Sequence, residues 1–431
     1  MATAAVARSQ SPIASGAAMI LRSDALKGSA LLLAGGAFFA AYQEMRPLDI
    51  LLTYSDLLFV LGGLLLVFEH GANLRPFGSL TPLWYISIGL LLGGLLLSSL
   101  FNGVIERWPI VAGQYFFAYV FLAVILMPRD PRRWRTLAAA FLAGIVVMEA
   151  ATFAIYFYYD GNYAELTQRF SHRFVTGAGR IGSFVGNPNY HAALIACTLP
   201  FLFYFTARRW MPRWVAAACL LVLVAALLYT ASNTGLGAAV IVGVIFLVAG
   251  RIRLRPAYFA AAAAAALVYI GSGAPLPRAF EARVAPALAS GNIEEAGTFL
   301  GRADLIKEAW DLADSTLILG VGVDQYREVS RDRMPVHNSF LLLWTEGGLA
   351  ALTGWLGVIG VLALCSMAAL QVRPLDAALG LSVLAVFCIF SIASPHMYAR
   401  IWMVPVLLAV GATLVGPAAR PVRADRQGVA F

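Results

Sequence analysis

Residues 332–352 read DRMPVHNSFLLLWTEGGLAAL and pass from a charged segment directly into an apolar one. His337, Asn338 and Ser339 occupy the boundary between the two. The apolar run predicts a helix that enters a membrane just after the histidine. Gly347 and Gly348 lie within that run, and they predict a break or a strong tilt in the helix.

The composition of the whole chain indicates a membrane protein. Of its 431 residues, 60% are hydrophobic and only 13% are charged. A soluble core cannot bury so much apolar surface, whereas a bilayer can accommodate it. All four cysteines lie inside apolar runs without a metal-ligand spacing, so they are interpreted as small hydrophobic side chains. The sequence therefore predicts an all-α polytopic membrane protein.

About twelve apolar stretches approach the roughly 20 residues that a helix needs to cross the hydrocarbon core. They lie near residues 28–44, 50–69, 80–101, 108–127, 136–158, 189–206, 212–231, 233–249, 256–271, 342–370, 376–394 and 398–416. We expect a single transmembrane domain over residues 1–416 and a cytoplasmic tail over residues 417–431.

The distribution of basic residues predicts the orientation. If both termini are cytoplasmic, most arginines fall in the inner connections, and only Arg46, Arg107 and Arg400 lie in or beside the short outer loops. This asymmetry is the one that the positive-inside rule describes. Two long segments, 159–188 and 272–337, then face the outside, which is the periplasm in a Gram-negative bacterium.

The inner connections contain no sequence typical of nucleotide use. They are short, and they lack both a phosphate-binding glycine loop followed by lysine and an Asp-x-Asp pair. Chemistry that depends on ATP or a nucleotide sugar is therefore not expected. We predict a reaction on the outer face, where activated lipids are available, and no nucleic-acid partner.

The first long loop is net basic and ends in the turn-forming sequence GSFVGNPN, residues 182–189. Arg180 precedes this stretch by two residues, and glycines there allow backbone amides to approach a ligand closely. An anion ligand is therefore the functional interpretation of Arg180. The alternative is contact with lipid headgroups.

The second long loop contains a predicted amphipathic helix over residues 298–314. Its apolar face is predicted from three- and four-residue spacings to contain Phe299, Ala303, Ile306, Trp310 and Ala313. Arg302 lies near the start of the helix, where an anion-binding role competes with a salt bridge to a neighbouring carboxylate. The chain then turns through Gly320 and Gly322 and returns to His337.

Further candidates lie in or beside apolar stretches. Glu346 falls within a predicted span, where an ionisable group is costly and often functional, and it is a candidate to pair with an arginine or to tune the site from below. His396, Tyr398 and Arg400 lie in the last short outer loop and are candidates for the same cavity, although an interfacial anchor is the alternative for Arg400. His191 is interpreted as a packing or capping residue of the sixth span.

Four stretches resemble the O-antigen ligase and polymerase superfamily of bacterial membrane glycosyltransferases. They are GRIGSFVGNPNYHAAL (179–194), YTASNTGLGAAV (229–240), GRADLIKEAWDLADSTLILGVGVDQY (301–326) and HNSFLLLWTEGGL (337–349). In its length and in lacking a large soluble tail, the chain is most similar to the lipopolysaccharide O-antigen ligases. It departs from the family pattern at Asn233, where arginine is frequent, and at Ala351.

The resemblance implies a GT-C-like fold and a metal-independent reaction in the periplasmic leaflet of the inner membrane. The partners that it implies are an undecaprenyl-diphosphate-linked O-antigen, the lipid A-core oligosaccharide that accepts the glycan, and membrane lipids. Direct attack by the acceptor would invert the anomeric centre. By the same resemblance, His337 is the general base, Arg180 and Arg302 hold the diphosphate, and Asn338 orients the imidazole or a sugar.

Other functions stay open at the level of sequence. An O-antigen polymerase or a protein O-oligosaccharyltransferase of the same superfamily would differ chiefly in its acceptor. A solute transporter with a similar number of spans is the alternative of another class. A transporter is expected to show inverted repeats and charges near mid-membrane, and neither pattern is evident in the sequence.

Overall fold

The computed structural model describes residues 28–47, 52–127, 130–253, 271–272, 276–283, 299–331 and 333–415. Apart from one bridge between Val175 and Ile181, these residues form helices and connecting turns. Eleven of the twelve predicted apolar stretches coincide with helices. The ninth stretch, residues 256–271, lies outside the described residues except for residue 271. The predicted tail, residues 417–431, lies entirely outside them.

Several helices in the first half of the chain begin at side chains that cap them. The helices are α1 Gly28–Phe38, α2 Tyr54–His70, α3 Thr81–Phe101, α4 Trp108–Tyr115, α5 Leu122–Leu126, α6 Pro131–Tyr158, α7 Tyr163–Arg169 and α8 Pro188–Ala207. Thr53 and Asp56 form a reciprocal capping box at α2, and Asn187 accepts two backbone amides at α8. A π-helical turn, Phe116–Phe121, joins α4 to α5.

The second half continues the bundle and includes the second long loop. Its helices are α9 Arg213–Thr230, α10 Asn233–Ala249, α11 Arg278–Arg283, α12 Phe299–Ser315, α13 Tyr326–Val329, α14 Ser339–Ala368, α15 Pro374–Ala393 and α16 Arg400–Leu414. The fold is therefore helical throughout the part of the chain that the structure describes.

Several helices have the length and composition of membrane spans. Within the described ranges, seven are long and apolar enough to cross a membrane: Gly78–Phe101, Ile105–Leu126, Pro131–Tyr158, Pro188–Ala207, Arg213–Thr230, Ser339–Ala368 and Pro374–Ala393. Shorter apolar helices cover Gly28–Ala41, Asn233–Ala249 and Arg400–Leu414. The chain is thus a polytopic membrane protein, while twelve spans and a GT-C-like arrangement stay predictions.

Both long loops lie at the same end of the bundle, which we call the loop end. The first loop meets the chain after α1, where the Glu44 amide donates to the Phe184 carbonyl at 2.9 Å. The second loop meets the start of α4, where Arg107 and Asp324 form a salt bridge of 2.7 Å. The side of the membrane that this end faces stays a prediction.

The predicted break in α14 is present at Gly348. This glycine has a φ of 66° and a ψ of −168°, which are not helical values. Its neighbour is the Ile318 carbonyl oxygen, which would overlap a Cβ built on Gly348. Only glycine satisfies both conditions, since it has no Cβ and adopts positive φ readily.

Residues 317–322, which we call the docked turn, fill this break. The amides of Val321 and Gly322 donate to the Thr345 and Glu346 carbonyls at 2.8 and 3.0 Å. In the opposite direction, the Leu349 amide donates to the carbonyl at the start of the docked turn at 3.1 Å. Gly320 and Gly322 have positive φ, as the predicted turn requires. Backbone groups that the break leaves without partners inside α14 therefore form hydrogen bonds with backbone groups of the docked turn.

The predicted amphipathic helix is confirmed as α12, and its buried face agrees with the prediction in part. Ala313 is buried and Ile306 is half-buried, as predicted, whereas Trp310 is 56% exposed. Leu305 and Ala309, which were not predicted to lie on that face, are buried. The Trp310 ring packs edge-on against Trp344 of α14, with ring centroids 5.5 Å apart.

We expect Gly348→Ala to destabilise the protein by at least about 1–2 kcal/mol, because an L-residue at this positive φ is strained and its Cβ meets Ile318. The measurement is the melting temperature in detergent, together with the rate of proteolysis in the second long loop. Gly360→Ala is the matched control in the same helix, since nothing lies within 4 Å of the methyl group that alanine would add there. Equal melting temperatures for the two variants would contradict this account of the break.

Candidate functional site

The entrance to α14 is built by hydrogen bonds that hold its first turn at the loop end. The Asn338 side-chain oxygen accepts the Phe340 and Leu341 amides at 3.0 and 3.2 Å, which makes Asn338 the N-cap. The Ser339 hydroxyl donates to the Ser394 carbonyl at 2.7 Å. His337 is half-buried and directly precedes this cap. Asn338 thus has a capping role that the sequence analysis did not assign to it.

The loop between α15 and α16 joins this entrance to α8. The Tyr190 hydroxyl, near the start of α8, hydrogen-bonds the Ser394 side chain. The Tyr190 ring packs against Trp402 of α16, with ring centroids 5.1 Å apart. Ser394 therefore contacts both Tyr190 and Ser339, so the first turns of α8 and α14 meet at one residue.

His396 in the same loop lies within electrostatic range of His337. Burial lowers the pKa of His396, and the charges of Arg327 and His337 lower it further, while Asp324 opposes the shift. The imidazole of His396 is consequently neutral at neutral pH. His337, Arg327 and Asp324 thus all lie within electrostatic range of His396 at the loop end.

A small cavity opens between α3, α4 and α14 beside this group. Its lining includes Tyr115, Asp324, Glu346, His396 and Tyr398. Burial and the two nearby carboxylates raise the pKa of Tyr398, so its hydroxyl stays protonated and can donate a hydrogen bond. Among the described residues, no group of three or more His, Cys, Asp or Glu side chains is arranged to hold a metal ion.

Glu346 is 6% exposed and holds the chain that follows the docked turn. Its carboxylate accepts the Tyr326 amide at 3.3 Å and also the Asp324 amide. Asp324 then receives two hydrogen bonds from Arg107, at 2.7 and 2.9 Å. An arginine was a predicted partner for Glu346. In the structure its hydrogen-bond donors are backbone amides, and Arg327 acts on it only through longer-range electrostatics.

Arg180 lies in the first long loop, and its guanidinium is held in a fixed direction. Its Nε donates to the Thr230 carbonyl at 2.8 Å, and its Nη2 donates to the Asn189 side chain at 2.7 Å. Asn189 directly precedes Tyr190, the residue that contacts Ser394. The structure therefore connects Arg180 to the entrance of α14 through the start of α8.

A buried ion pair supports the position of Arg180. The His191 Nε2 lies 2.7 and 2.9 Å from the two Glu149 carboxylate oxygens, and both residues are fully buried. The other ring nitrogen of His191 donates to the Ile181 carbonyl at 3.1 Å, next to Arg180 in the chain. His191 is thus a packing residue, as predicted, and Glu149 is the partner that fixes its orientation.

Two further residues were predicted for the site, Arg302 and Arg400. Arg302 lies in the first turn of α12, and its side chain is outside the part that the structure describes. Arg400 forms a salt bridge with Asp56, which is also the capping residue of α2. Arg400 thus ties the start of α16 to the start of α2 and holds the end of the loop that carries His396 and Tyr398.

Sequence reasoning missed Asp324, Arg107 and Arg327 as parts of this group. The sequence feature that could have pointed to Asp324 is the glycine-rich turn before it. Asp324 itself has a φ of 60° and lies between the docked turn and α13. Arg107 was interpreted only as a topology marker, because its partner lies 217 residues away in the sequence.

Comparison with known proteins identifies the segment that contains much of this group. Residues 217–356, about a third of the chain, match the family model described as O-Antigen ligase. The match includes Asp324, His337 and Glu346, whereas Arg180 and His396 lie outside it. No curated protein matches the chain. The matched segment supports assignment to the O-antigen ligase and polymerase superfamily, to which the sequence motifs also point.

Proposed function

We propose that the protein is an O-antigen ligase that transfers the glycan from undecaprenyl diphosphate to the lipid A-core oligosaccharide on the periplasmic face of the inner membrane. The observation that carries the proposal is the place of His337. It lies within the matched segment, just before the N-cap of a broken membrane helix, and within electrostatic range of His396 at the end of the bundle where both long loops lie.

In this reaction His337 is the general base. It takes the proton of an acceptor-sugar hydroxyl while that oxygen bonds to the anomeric carbon of the donor glycan. The bond from that carbon to the diphosphate oxygen breaks at the same time, and undecaprenyl diphosphate leaves with the electron pair. Attack opposite the leaving group inverts the anomeric configuration. A neutral His396 beside His337 supports this role, because it adds no positive charge that would oppose proton uptake.

Arg180 and Arg302 hold the leaving diphosphate in the proposed site. A guanidinium offers forked donors that match phosphate oxygens, and preorganised cations stabilise the charge that develops as the bond breaks. The two hydrogen bonds that fix Arg180 support this role, because its orientation does not have to be established when substrate binds. No metal or cofactor takes part in the proposed reaction.

The location of the site at the end of the bundle suits two amphiphilic substrates. Donor and acceptor each carry a glycan in water and a lipid in the membrane, so their reacting atoms meet at the interface. The proposed orientation places both termini in the cytoplasm and the loop end in the periplasm. The same geometry serves a polymerase or a protein O-oligosaccharyltransferase, from which the proposed ligase is distinguished by its acceptor.

We expect His337→Ala to lower the transfer rate by about 10²–10⁴-fold, the range that a general base contributes. The assay contains purified protein, undecaprenyl-diphosphate-linked O-antigen and lipid A-core, with a chelator and without nucleotide. His172→Ala is the control, since His172 is an exposed histidine in the first long loop.

The outcomes of this assay separate the parts of the proposal. Full activity of His337→Ala at equal folded amounts would remove His337 from the chemistry while leaving the ligase activity in place. If wild-type protein makes no product with lipid A-core but extends a second carrier-linked glycan, the protein is a polymerase and the ligase proposal fails.

We expect Arg180→Lys to raise the KM for the lipid-linked donor by at least about tenfold, because an ammonium cannot keep both fixing contacts and still present a fork to phosphate. The measurement is the donor concentration dependence of the initial rate. Arg169→Lys is the charge-matched control in the same loop, where Arg169 is exposed over the Tyr159 ring. Unchanged donor KM in Arg180→Lys would remove Arg180 from the diphosphate site.

A further inference from the structure

The docked turn presents its side chains outward while its backbone is paired with the bundle. Leu317, Ile318 and Leu319 are 44%, 72% and 40% exposed, so three consecutive apolar side chains face away from the protein. In a loop surrounded by water, such a run would be an unfavourable apolar patch.

The level of the docked turn along α14 places it well inside the bundle. It contacts the helix at Gly348, nine residues after Ser339, and at a rise of 1.5 Å per residue this is about 13 Å from the helix start. This distance is close to the roughly 15 Å that the hydrocarbon of one leaflet spans, so the turn lies beside a membrane span and not beyond its end.

The neighbouring helix α3 gives an independent measure of this depth. A Cβ on Gly94 would lie 2.7 Å from the Gly347 carbonyl oxygen, so these two residues are at the same level. From Gly94, α3 continues for seven residues to Phe101, about 10 Å further toward the loop end. Phe101 is 72% exposed, so an exposed apolar side chain of α3 lies past the level of the docked turn.

Hydrogen bonds to protein hold both ends of the docked turn, which lowers the cost of placing irregular backbone beside lipid. Besides the bonds to α14, the Gly320 carbonyl accepts the Asn102 side chain at 3.1 Å, and the Leu317 carbonyl accepts the Trp344 indole at 3.3 Å. These bonds fix the turn against α14 while the apolar side chains of residues 317–319 face outward, where acyl chains can cover them.

We propose that residues 317–319 form a re-entrant segment that inserts into the hydrocarbon of the leaflet at the loop end and contacts the acyl chains of bilayer lipids. Trp310, exposed beside Trp344, lies at the interface above it, as an indole with an apolar ring and a polar N–H favours. The second long loop is thus anchored in the membrane rather than suspended in water. This inference does not depend on the proposed transferase reaction.

The test is the depth of a spin label in lipid vesicles. Ile318→Cys and Val329→Cys are made in a chain whose four native cysteines are replaced by alanine, labelled, and compared for relaxation by oxygen and by a water-soluble nickel complex. Val329 is the matched control, since it is an apolar residue of the same loop and 54% exposed. We expect at least a several-fold higher ratio of oxygen to nickel accessibility at residue 318. Equal ratios would overturn the proposal.

A second pair of variants retains the native cysteines and tests the same point without a label. A carboxylate inserted among acyl chains is costly, whereas the same charge in water is tolerated. We expect Ile318→Asp to lower the melting temperature in lipid nanodiscs clearly more than Val329→Asp does. Equal melting temperatures would contradict insertion of residues 317–319.

Discussion

The break in α14 at Gly348 is the constraint from which the arrangement of the loop end follows. A helix that breaks inside a membrane leaves carbonyl and amide groups that no water can satisfy, so another part of the protein has to pair them. The docked turn does so through Thr345, Glu346 and Leu349. Since these bonds fix one part of the second long loop against a membrane helix, they also fix where the adjoining residues lie.

The polar group at the loop end depends on this attachment. Glu346, the residue two positions before the break, accepts amides of the segment that follows the docked turn, and this orients Asp324 toward Arg107. From the other side, the entrance of α14 is bonded to the loop that carries His396. The cavity between them thus has walls from separate parts of the sequence, each held by backbone hydrogen bonds.

The sequence could predict features with a local cause. Apolar length predicts the helices, paired glycines predict the break in α14, and the spacing of α12 predicts an amphipathic helix. Contacts between residues distant in sequence could not be predicted in this way. Glu149 and His191 are separated by 42 residues, and Arg107 and Asp324 by 217. Their pairing depends on which helix ends become neighbours, which no spacing in one chain specifies. The exposure of Trp310 on α12 was mispredicted for the same reason, because packing against α14 determines which side of the helix is covered.

Under the proposed function, Arg180 and His337 define two sides of the site. The cavity beside α14 is lined by Glu346 and by Asp324, whose charge is paired with Arg107. Arg180 lies on the side of α8, with its guanidinium held by Thr230 and Asn189. We place the diphosphate of the donor against Arg180 and the acceptor hydroxyl near His337, at the entrance of α14. The anomeric carbon would lie between them, which is the arrangement that in-line displacement requires.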